Sequence, residues 1–271
     1  MMERHFQFIQ SHIQKNAPLI HCLTNPITMN DCANAILSIG GRPIMAEHPD
    51  EIDDITPHAQ ALLLNLGCPS DLRLASMKRA AQIAHRQGIP VVMDLVGVHA
   101  SHLRMDFAQS LASECPSAIF KGNRSEIIAF FRGALAGSGV DVSPHDQIKS
   151  EHEIAAVALD LARRHSAVIM VTGKEDIIAD AQHAIVLKNG TPRLAQVTGS
   201  GCVLGAIAAC LASTKQHFEA AMFSVSLINI AGERADHAQG LASFRMAWLD
   251  HIGSLSAQTL CKHINNHEVN A

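Results

Sequence analysis

The residues with the clearest chemical potential lie in a turn at 197–202, Val-Thr-Gly-Ser-Gly-Cys, which runs directly into an apolar helical pattern. A glycine-rich turn that opens a helix leaves several backbone N–H groups pointing at one spot, where the helix dipole favours an anion. The pattern therefore predicts a phosphate-binding turn formed by Gly199, Ser200, Gly201 and Cys202. The alternative is tight packing of small residues, which needs no ligand.

Cys202 stands where the first turn of that helix begins. The helix dipole there favours a thiolate over a thiol, and a thiolate could accept a proton from a substrate hydroxyl. The alternative is a small buried apolar residue, which is the usual state of an isolated cysteine. Position alone leaves both interpretations open.

Asp94, Lys121 and Glu126 come at or just after the ends of two apolar strand patterns. Open α/β sheets bind ligands outside the carboxyl ends of their strands. Asp94 is therefore a candidate ligand of Mg²⁺, Glu126 could reach a metal-bound water, and Lys121 could meet phosphate oxygens as a point charge. Helix capping by the acids and a solvent-exposed lysine are the alternatives.

Met45 follows a glycine pair at 40–41 that would stop a helix before a short strand. Its flexible, polarisable side chain suits an aromatic or sulfur heterocycle, but residue type alone favours a place in the core.

These candidate residues must be positioned by regular secondary structure. The chain alternates short apolar runs with longer helical patterns, which is typical of βαβ units on a mostly parallel sheet covered by helices. We expect one α/β domain spanning 1–271. Strands are predicted at 19–23, 43–46, 61–67, 89–96, 118–122 and 167–173, followed by a hairpin of 176–179 and 183–187 closed by 188–190. Helices are predicted at 30–39, 71–87, 103–113, 151–164, 201–213, 218–237 and 244–263, and a surface loop at 133–144.

Composition argues against several classes of partner. The 271 residues carry a net charge of −4 and no run rich in lysine and arginine, which argues against nucleic acid or an anionic membrane. Hydrophobic residues make up 48%, enough for a sizeable core. The amino terminus lacks the apolar core of a signal peptide, and the seven cysteines contain no C-x-x-C pair. A cytoplasmic protein with reduced thiols is therefore expected.

Several segments, taken in order along the chain, resemble the hydroxyethylthiazole kinases of the ribokinase-like superfamily. They are HCLTNPITMNDCAN, GGRPIMAEHPDE, ALLLNLG, PVVMDLVGV, KGNRSEI, VTGKEDII, VTGSGCVLGA and SLINIAGERA. Cys202 is the discriminating residue, because most ribokinase-like enzymes carry an aspartate there. The resemblance implies a three-layer α/β/α fold and transfer of phosphate from ATP to the alcohol of 4-methyl-5-(2-hydroxyethyl)thiazole. The alternatives are a related kinase of a hydroxymethylpyrimidine or a sugar, and a non-catalytic thiazole-binding relative.

The resemblance also implies roles for individual residues and a homotrimer with pockets at the subunit boundaries. Carried over position by position, Met45 and Gly199 would contact the thiazole, Lys121 and Thr172 the ATP, Cys202 the reacting hydroxyl, and Asp94 and Glu126 the magnesium ion. The chain departs from the family pattern in four places: Lys121 replaces an arginine, Leu95 a proline, Gly205 a serine, and 240–243 reads Gly-Leu-Ala-Ser instead of Gly-Pro-Gly-Ser.

Overall fold

The computed structural model describes residues 2–114, 119–135 and 150–269. Within these ranges one nine-stranded sheet has the order β2-β1-β3-β4-β5-β6-β7-β8-β9. The strands are Leu19–Leu23 (β1), Arg42–Ile44 (β2), Ala61–Asn65 (β3), Val91–Asp94 (β4), Ile119–Asn123 (β5), Val168–Thr172 (β6), Asp176–Ala179 (β7), Ala184–Leu187 (β8) and Asn266–Glu268 (β9). The strands β1 to β6 are parallel to one another, and β7, β8 and β9 continue the sheet in antiparallel fashion.

Helices cover both faces of this sheet. They are Met2–Asn16 (α1), Met29–Ser38 (α2), Ile52–Ile55 (α3), Asp71–Gln87 (α4), His102–Glu114 (α5), Arg124–Arg132 (α6), Glu151–His165 (α7), Ser200–Ala212 (α8), His217–Ala235 (α9), Leu241–Ser254 (α10) and Ala257–His263 (α11). Apolar residues of α1, α2 and α8–α11 form one core with the sheet, and those of α4–α7 form the other. None of the described helices is long and apolar enough to cross a membrane.

The sheet strands are apolar on both faces because each face meets a helical layer. In β3, Ala61 and Leu63 face the α8 side, whereas Leu62 and Leu64 face the α4 side. Successive side chains of a strand point in opposite directions, so a strand covered on both sides has an uninterrupted apolar sequence. The prediction of a mostly parallel α/β/α sheet is confirmed.

Among the helices of the described chain, α8 is the most enclosed. All ten residues from Val203 to Ala212 are buried, as expected for a helix that is apolar all round. The helix lies across β3 and β4 and packs between α2 and α9. Its amino-terminal turn is therefore held in one place at the carboxyl ends of the parallel strands.

The carboxy-terminal region differs from the sequence-based prediction in two ways. The helix predicted at 244–263 is two helices, because Leu255 is extended and the Ser256 hydroxyl accepts a hydrogen bond from the Thr259 N–H, which starts α11. Strand β9 was not predicted, since its sequence Asn-His-Glu has no apolar alternation. It pairs with β8 at the end of the sheet.

The predicted hairpin of β7 and β8 is confirmed, but the prediction of its turn at 188–190 is wrong. The two strands are joined through Asp180, whose carboxylate accepts hydrogen bonds from the N–H groups of Gln182 and His183. Residues 188–190 follow β8 instead and run towards α9. The loop predicted at 133–144 begins at Gly133, where α6 ends, and from residue 136 to its end it lies outside the described residues.

Candidate functional site

The turn before α8 has the geometry of an anion site. Gly199 precedes the helix with φ +90°, and a Cβ added there would lie 2.2 Å from Thr28 Cγ2, so only glycine fits. The first-turn N–H groups of Gly201 and Cys202 have no hydrogen-bond acceptor within the described chain. A Cβ on Gly201 would stand 3.3 Å from Lys121 Nζ. Two backbone donors and one ammonium therefore converge on the same small volume.

Cys202 accepts a hydrogen bond from a side chain whose orientation is fixed. Asn25 Nδ2 lies 3.3 Å from Cys202 Sγ, while Asn25 Oδ1 accepts hydrogen bonds from the N–H and the hydroxyl of Thr28, both at 3.2 Å. Because the amide oxygen is occupied, the amide N–H must face the sulfur. A donor in this position stabilises negative charge on the sulfur. The side chain of Cys202 is only partly buried, so its sulfur is not enclosed in the core.

Sequence reasoning had assigned no role to Asn25. It follows β1 at the same edge of the sheet as the other site residues, which was the available signal.

Lys121 and Asp94 form a buried ion pair under the same turn. Lys121 Nζ lies 2.9 Å from Asp94 Oδ1, and Asn65 Nδ2 donates to the other carboxylate oxygen at 3.1 Å. Only 4% of Lys121 and none of Asp94 is exposed. Burial alone would lower the pKa of the Lys121 ammonium, but the carboxylate of Asp94 outweighs this effect and raises it. The alternative of a solvent-exposed lysine is wrong.

Glu126 performs the capping that the sequence had left as an alternative. Its carboxylate accepts the N–H of Asn123 at 2.7 Å and the N–H of Gly97 at 2.8 Å, and the Asn123 side chain caps α6 in return. Glu126 thereby ties the loop after β4 to the start of α6. It is buried, and its negative charge is one of the influences that raise the pKa of Asp94, after burial itself.

The two acids supply carboxylate oxygens of the kind that a hydrated Mg²⁺ uses. Each carboxylate oxygen that already accepts one hydrogen bond has a second lone pair, and both groups are acids beside the anion site. No group of three or more histidine, cysteine, aspartate or glutamate side chains in the described ranges could hold a metal by itself. An ion beside Asp94 and Glu126 would therefore retain water molecules and take oxygens from a bound phosphate, as magnesium commonly does.

Met45 and Thr172 mark the two ends of the parallel part of the sheet. Met45 follows β2 and is partly buried, and the next peptide is fixed because His21 Nε2 donates to the Ala46 carbonyl at 2.8 Å. Thr172 ends β6. Five strand spacings separate β2 from β6 in the sheet order, which is roughly 24 Å at about 4.8 Å per spacing. The anion site lies between them, so the arrangement suits two ligands that meet at α8.

Asp176 and Asn229 form a second buried polar pair that sequence reasoning missed. The carboxylate of Asp176 accepts the N–H of Gly173 at 2.9 Å and Asn229 Nδ2 at 2.6 Å. Burial raises the pKa of Asp176 to about 6, against the opposing effects of these hydrogen bonds and of Lys121. The local sequence around Asp176 does not predict that its carboxylate is buried, because the hydrogen-bond partner Asn229 is 53 residues away in the sequence.

The sheet order and the helical layers define a three-layer α/β/α fold of the ribokinase-like type. A ribokinase-like superfamily protein from Enterococcus faecalis superposes with a TM-score of 0.62 over 90% of this chain and 88% of its own, at 11% identity.

The family follows from closer comparisons. The model of the hydroxyethylthiazole kinase family matches residues 10–258. Hydroxyethylthiazole kinase 2 of Clostridium botulinum is 38% identical over 258 residues, 94% of this chain and 97% of the relative. The structure of a hydroxyethylthiazole kinase protein from Pyrococcus horikoshii OT3 has a TM-score of 0.88 at 26% identity, and covers 98% of this chain and 100% of its own. The chain belongs to the hydroxyethylthiazole kinase family.

The buried ion pair predicts a strong dependence of folding on charge balance. Asp94→Asn and Lys121→Met should each lower the free energy of unfolding by about 3–5 kcal/mol, because each leaves one buried charge without its partner. The double variant removes both charges and retains an acceptor for Asn65. Its free energy of unfolding should therefore fall by much less than the sum of the losses in the two single variants. Urea denaturation measures all three. The exposed pair of Arg79 and Asp53 supplies the control, since Asp53→Asn should leave stability nearly unchanged. Additive losses would show that the pair is not coupled.

Asp176 predicts a pH dependence of stability with a defined sign. The pKa is raised from 3.8 to about 6 on folding, so the contribution to stability is complete below pH 4 and is lost as the pH rises through 6. A shift of this size corresponds to about 3 kcal/mol. The stability of the natural protein relative to Asp176→Asn should therefore fall by up to that amount between pH 4 and pH 7 in denaturant titrations. If the free energies of unfolding of the two proteins ran parallel over this pH range, the raised pKa of Asp176 would be contradicted.

Proposed function

We propose that this chain, acting as one domain over 1–271, transfers the γ-phosphoryl group of ATP to the primary alcohol of 4-methyl-5-(2-hydroxyethyl)thiazole. The observation that carries the proposal is the convergence at the start of α8 of a hydrogen-bonded sulfur, two unpaired first-turn N–H groups in the described chain, and the Lys121 ammonium. One group can receive a proton while the others receive a phosphoryl anion. The names of the family and of its relatives support the choice of alcohol.

The transfer needs proton removal, alignment and charge stabilisation. As the alcohol oxygen forms its bond to the γ-phosphorus, its O–H proton passes to Cys202 Sγ, which accepts it as a thiolate and becomes a thiol. The bond between phosphorus and the bridging oxygen breaks at the same time and releases ADP. Asn25 holds the sulfur in place and donates to it throughout. The N–H groups of Gly201 and Cys202, with Lys121, face the transferring oxygens, where negative charge is concentrated.

Asp94 and Glu126 would hold the magnesium ion through its water ligands. When bound, the ion neutralises the charge of the ATP phosphates. Asp94 also fixes the ammonium of Lys121, so one carboxylate would serve both cations of the site.

The ligands would lie on opposite sides of α8. Met45 and Gly199 would contact the thiazole near β2, and Lys121 and Thr172 would contact ATP near β6. This assignment is supported by the order of the strands, which places Met45 and Thr172 at the two ends of the parallel part. A cytoplasmic location belongs to the proposal and is supported by six described cysteines that are all free thiols.

The direct test of the proposal is turnover by the purified protein. ATP and Mg²⁺ are supplied with a panel of thiazole, hydroxymethylpyrimidine and sugar alcohols, and ADP is measured. Preferred turnover of the thiazole supports the proposal, preference for another alcohol assigns a different kinase, and tight thiazole binding without ADP formation identifies a non-catalytic relative.

Cys202→Ala should lower kcat by roughly 10²–10⁴-fold with little change in either KM, because the sulfur is proposed to act in the transition state. Cys202→Asp should retain much of the activity, since a carboxylate can accept both the proton and the Asn25 hydrogen bond. Steady-state kinetics on the three proteins decide the matter. A loss of only a few-fold in Cys202→Ala would mean that the sulfur merely packs in the site.

The protein should be a homotrimer whose pockets are completed by a neighbouring subunit. This expectation follows from the family and is supported by the position of Met45, which follows the edge strand β2 and has no further strand beside it among the described residues. Sedimentation equilibrium should give three times the chain mass of 29.1 kDa. A monomer that turns over at the full rate would contradict the shared pocket.

A further inference from the structure

The pair formed by Asp176 and Asn229 joins a loop to a helix at the edge of the sheet where the proposed ATP site lies. Asp176 is the first residue of β7, and its carboxylate reaches back to the N–H of Gly173 in the tight turn after β6. Asn229 belongs to α9 on the other side of the carboxylate. Both side chains are more than nine-tenths buried. The bridge therefore fixes the position of the turn at 172–173 relative to α9.

The turn so fixed borders the charged centre of the site. Thr172 on β6 pairs with Asn123 on β5, and Asn123 is two residues beyond Lys121 on the same strand. The hydroxyl of Thr172 lies 3.4 Å from the Gly122 carbonyl. The charge of Lys121 also reaches Asp176, where it favours the ionised carboxylate. A displacement of the turn would therefore change the side of the site that faces β6 and would leave the side near Met45 in place.

Helix α9 holds a second loop in the same manner, one helical turn further on. Glu233 accepts hydrogen bonds from the N–H of Gly190 at 2.7 Å and from the Asn189 side chain at 3.2 Å. A Cβ on Gly190 would lie 3.4 Å from Asn229 Cγ, so Asn229 stands between the two loops. One row of polar residues on α9 thus aligns both the turn after β6 and the segment after β8.

We propose that Asp176 and Asn229 are positioning residues for the nucleotide, which act by holding the turn at 172–173 in the place that ATP requires. This inference rests on the proposed use of ATP. A buried carboxylate is expensive, and an apolar pair of similar shape would stabilise the fold as well or better. What an apolar pair cannot supply is the acceptor for the Gly173 N–H, which fixes the turn.

Four variants of the full chain test the bridge. Asp176→Ala and Asn229→Leu each break it. Asp176→Asn retains it if the Asn229 amide rotates to present its oxygen. The exchange of the two residues, Asp176→Asn with Asn229→Asp, restores both hydrogen bonds, because the new amide accepts from Gly173 and donates to the new carboxylate. Thermal unfolding establishes that each variant is folded, and calorimetry with Mg²⁺ and the non-hydrolysable analogue AMP-PNP measures nucleotide binding without turnover.

The two breaking variants should raise the KM for ATP and the Kd for AMP-PNP about tenfold, the scale of one charge-assisted hydrogen bond. The KM for the thiazole alcohol should change by less than about twofold, because that ligand lies across α8. For Asp176→Asn and for the exchanged pair, the KM for ATP and the Kd for AMP-PNP should both stay within about threefold of the values for the natural protein. A folded Asp176→Ala protein with unchanged AMP-PNP affinity, an equal rise in both KM values, or an exchanged pair no better than Asp176→Ala would each overturn the proposal.

The outcomes also separate this inference from the proposed function. If the natural protein binds AMP-PNP and the breaking variants lose affinity, the bridge is supported even when no alcohol in the panel is phosphorylated. If the natural protein phosphorylates the thiazole and the variants bind nucleotide normally, only the bridge is wrong. A natural protein that binds no AMP-PNP overturns both.

Discussion

The buried contact between Lys121 and Asp94 is the interaction on which the rest of the site depends. It places a positive charge directly under the first turn of α8. The helix dipole by itself would repel a cation there, and the carboxylate of Asp94 stabilises the ammonium in that position. Asn65, on the neighbouring strand, holds the carboxylate in turn. Three adjacent strands therefore contribute one side chain each to a fixed positive centre. The anion site is a property of the sheet as much as of the glycine turn.

The helix that presents the glycine turn is fixed by a different kind of force. Ten consecutive buried residues of α8 pack against the sheet, α2 and α9, and close packing leaves such a helix little freedom to shift. Asn25 and Thr28 then connect the turn to the loop after β1. Apolar packing sets the place of the backbone donors, and a small number of directed hydrogen bonds sets the orientation of the side chains.

The sequence was sufficient for the parallel core and for the locations of Asp94 and Lys121, because both stand at the carboxyl end of an apolar strand run and strand ends gather at one edge of a sheet. It was also sufficient for the location of Cys202, because a glycine-rich turn before an apolar helical pattern marks the start of a helix. It was insufficient for their partners. Asn25 and Cys202 are 177 residues apart, and which polar groups meet across such a distance depends on strand order and register. Local signals also competed: Asn-Gly at 189–190 suggested a hairpin turn, yet these residues bind Glu233, and Ser256 started a new helix inside an apolar pattern.

The enclosure of α8 has a consequence for how this protein tolerates change. The helix has 13 residues and is about 20 Å long, so its far end is distant from any chemistry. Nevertheless both Ala208 and Ala212 are fully buried, so a bulkier residue at either position forces neighbouring side chains or the helix itself to shift. A shift of the helix also moves the glycine turn at its start. A random mutagenesis screen for lost activity would therefore return alanines of the core together with the residues of the site, and distance from the ligands would be a poor guide to which substitutions are harmless.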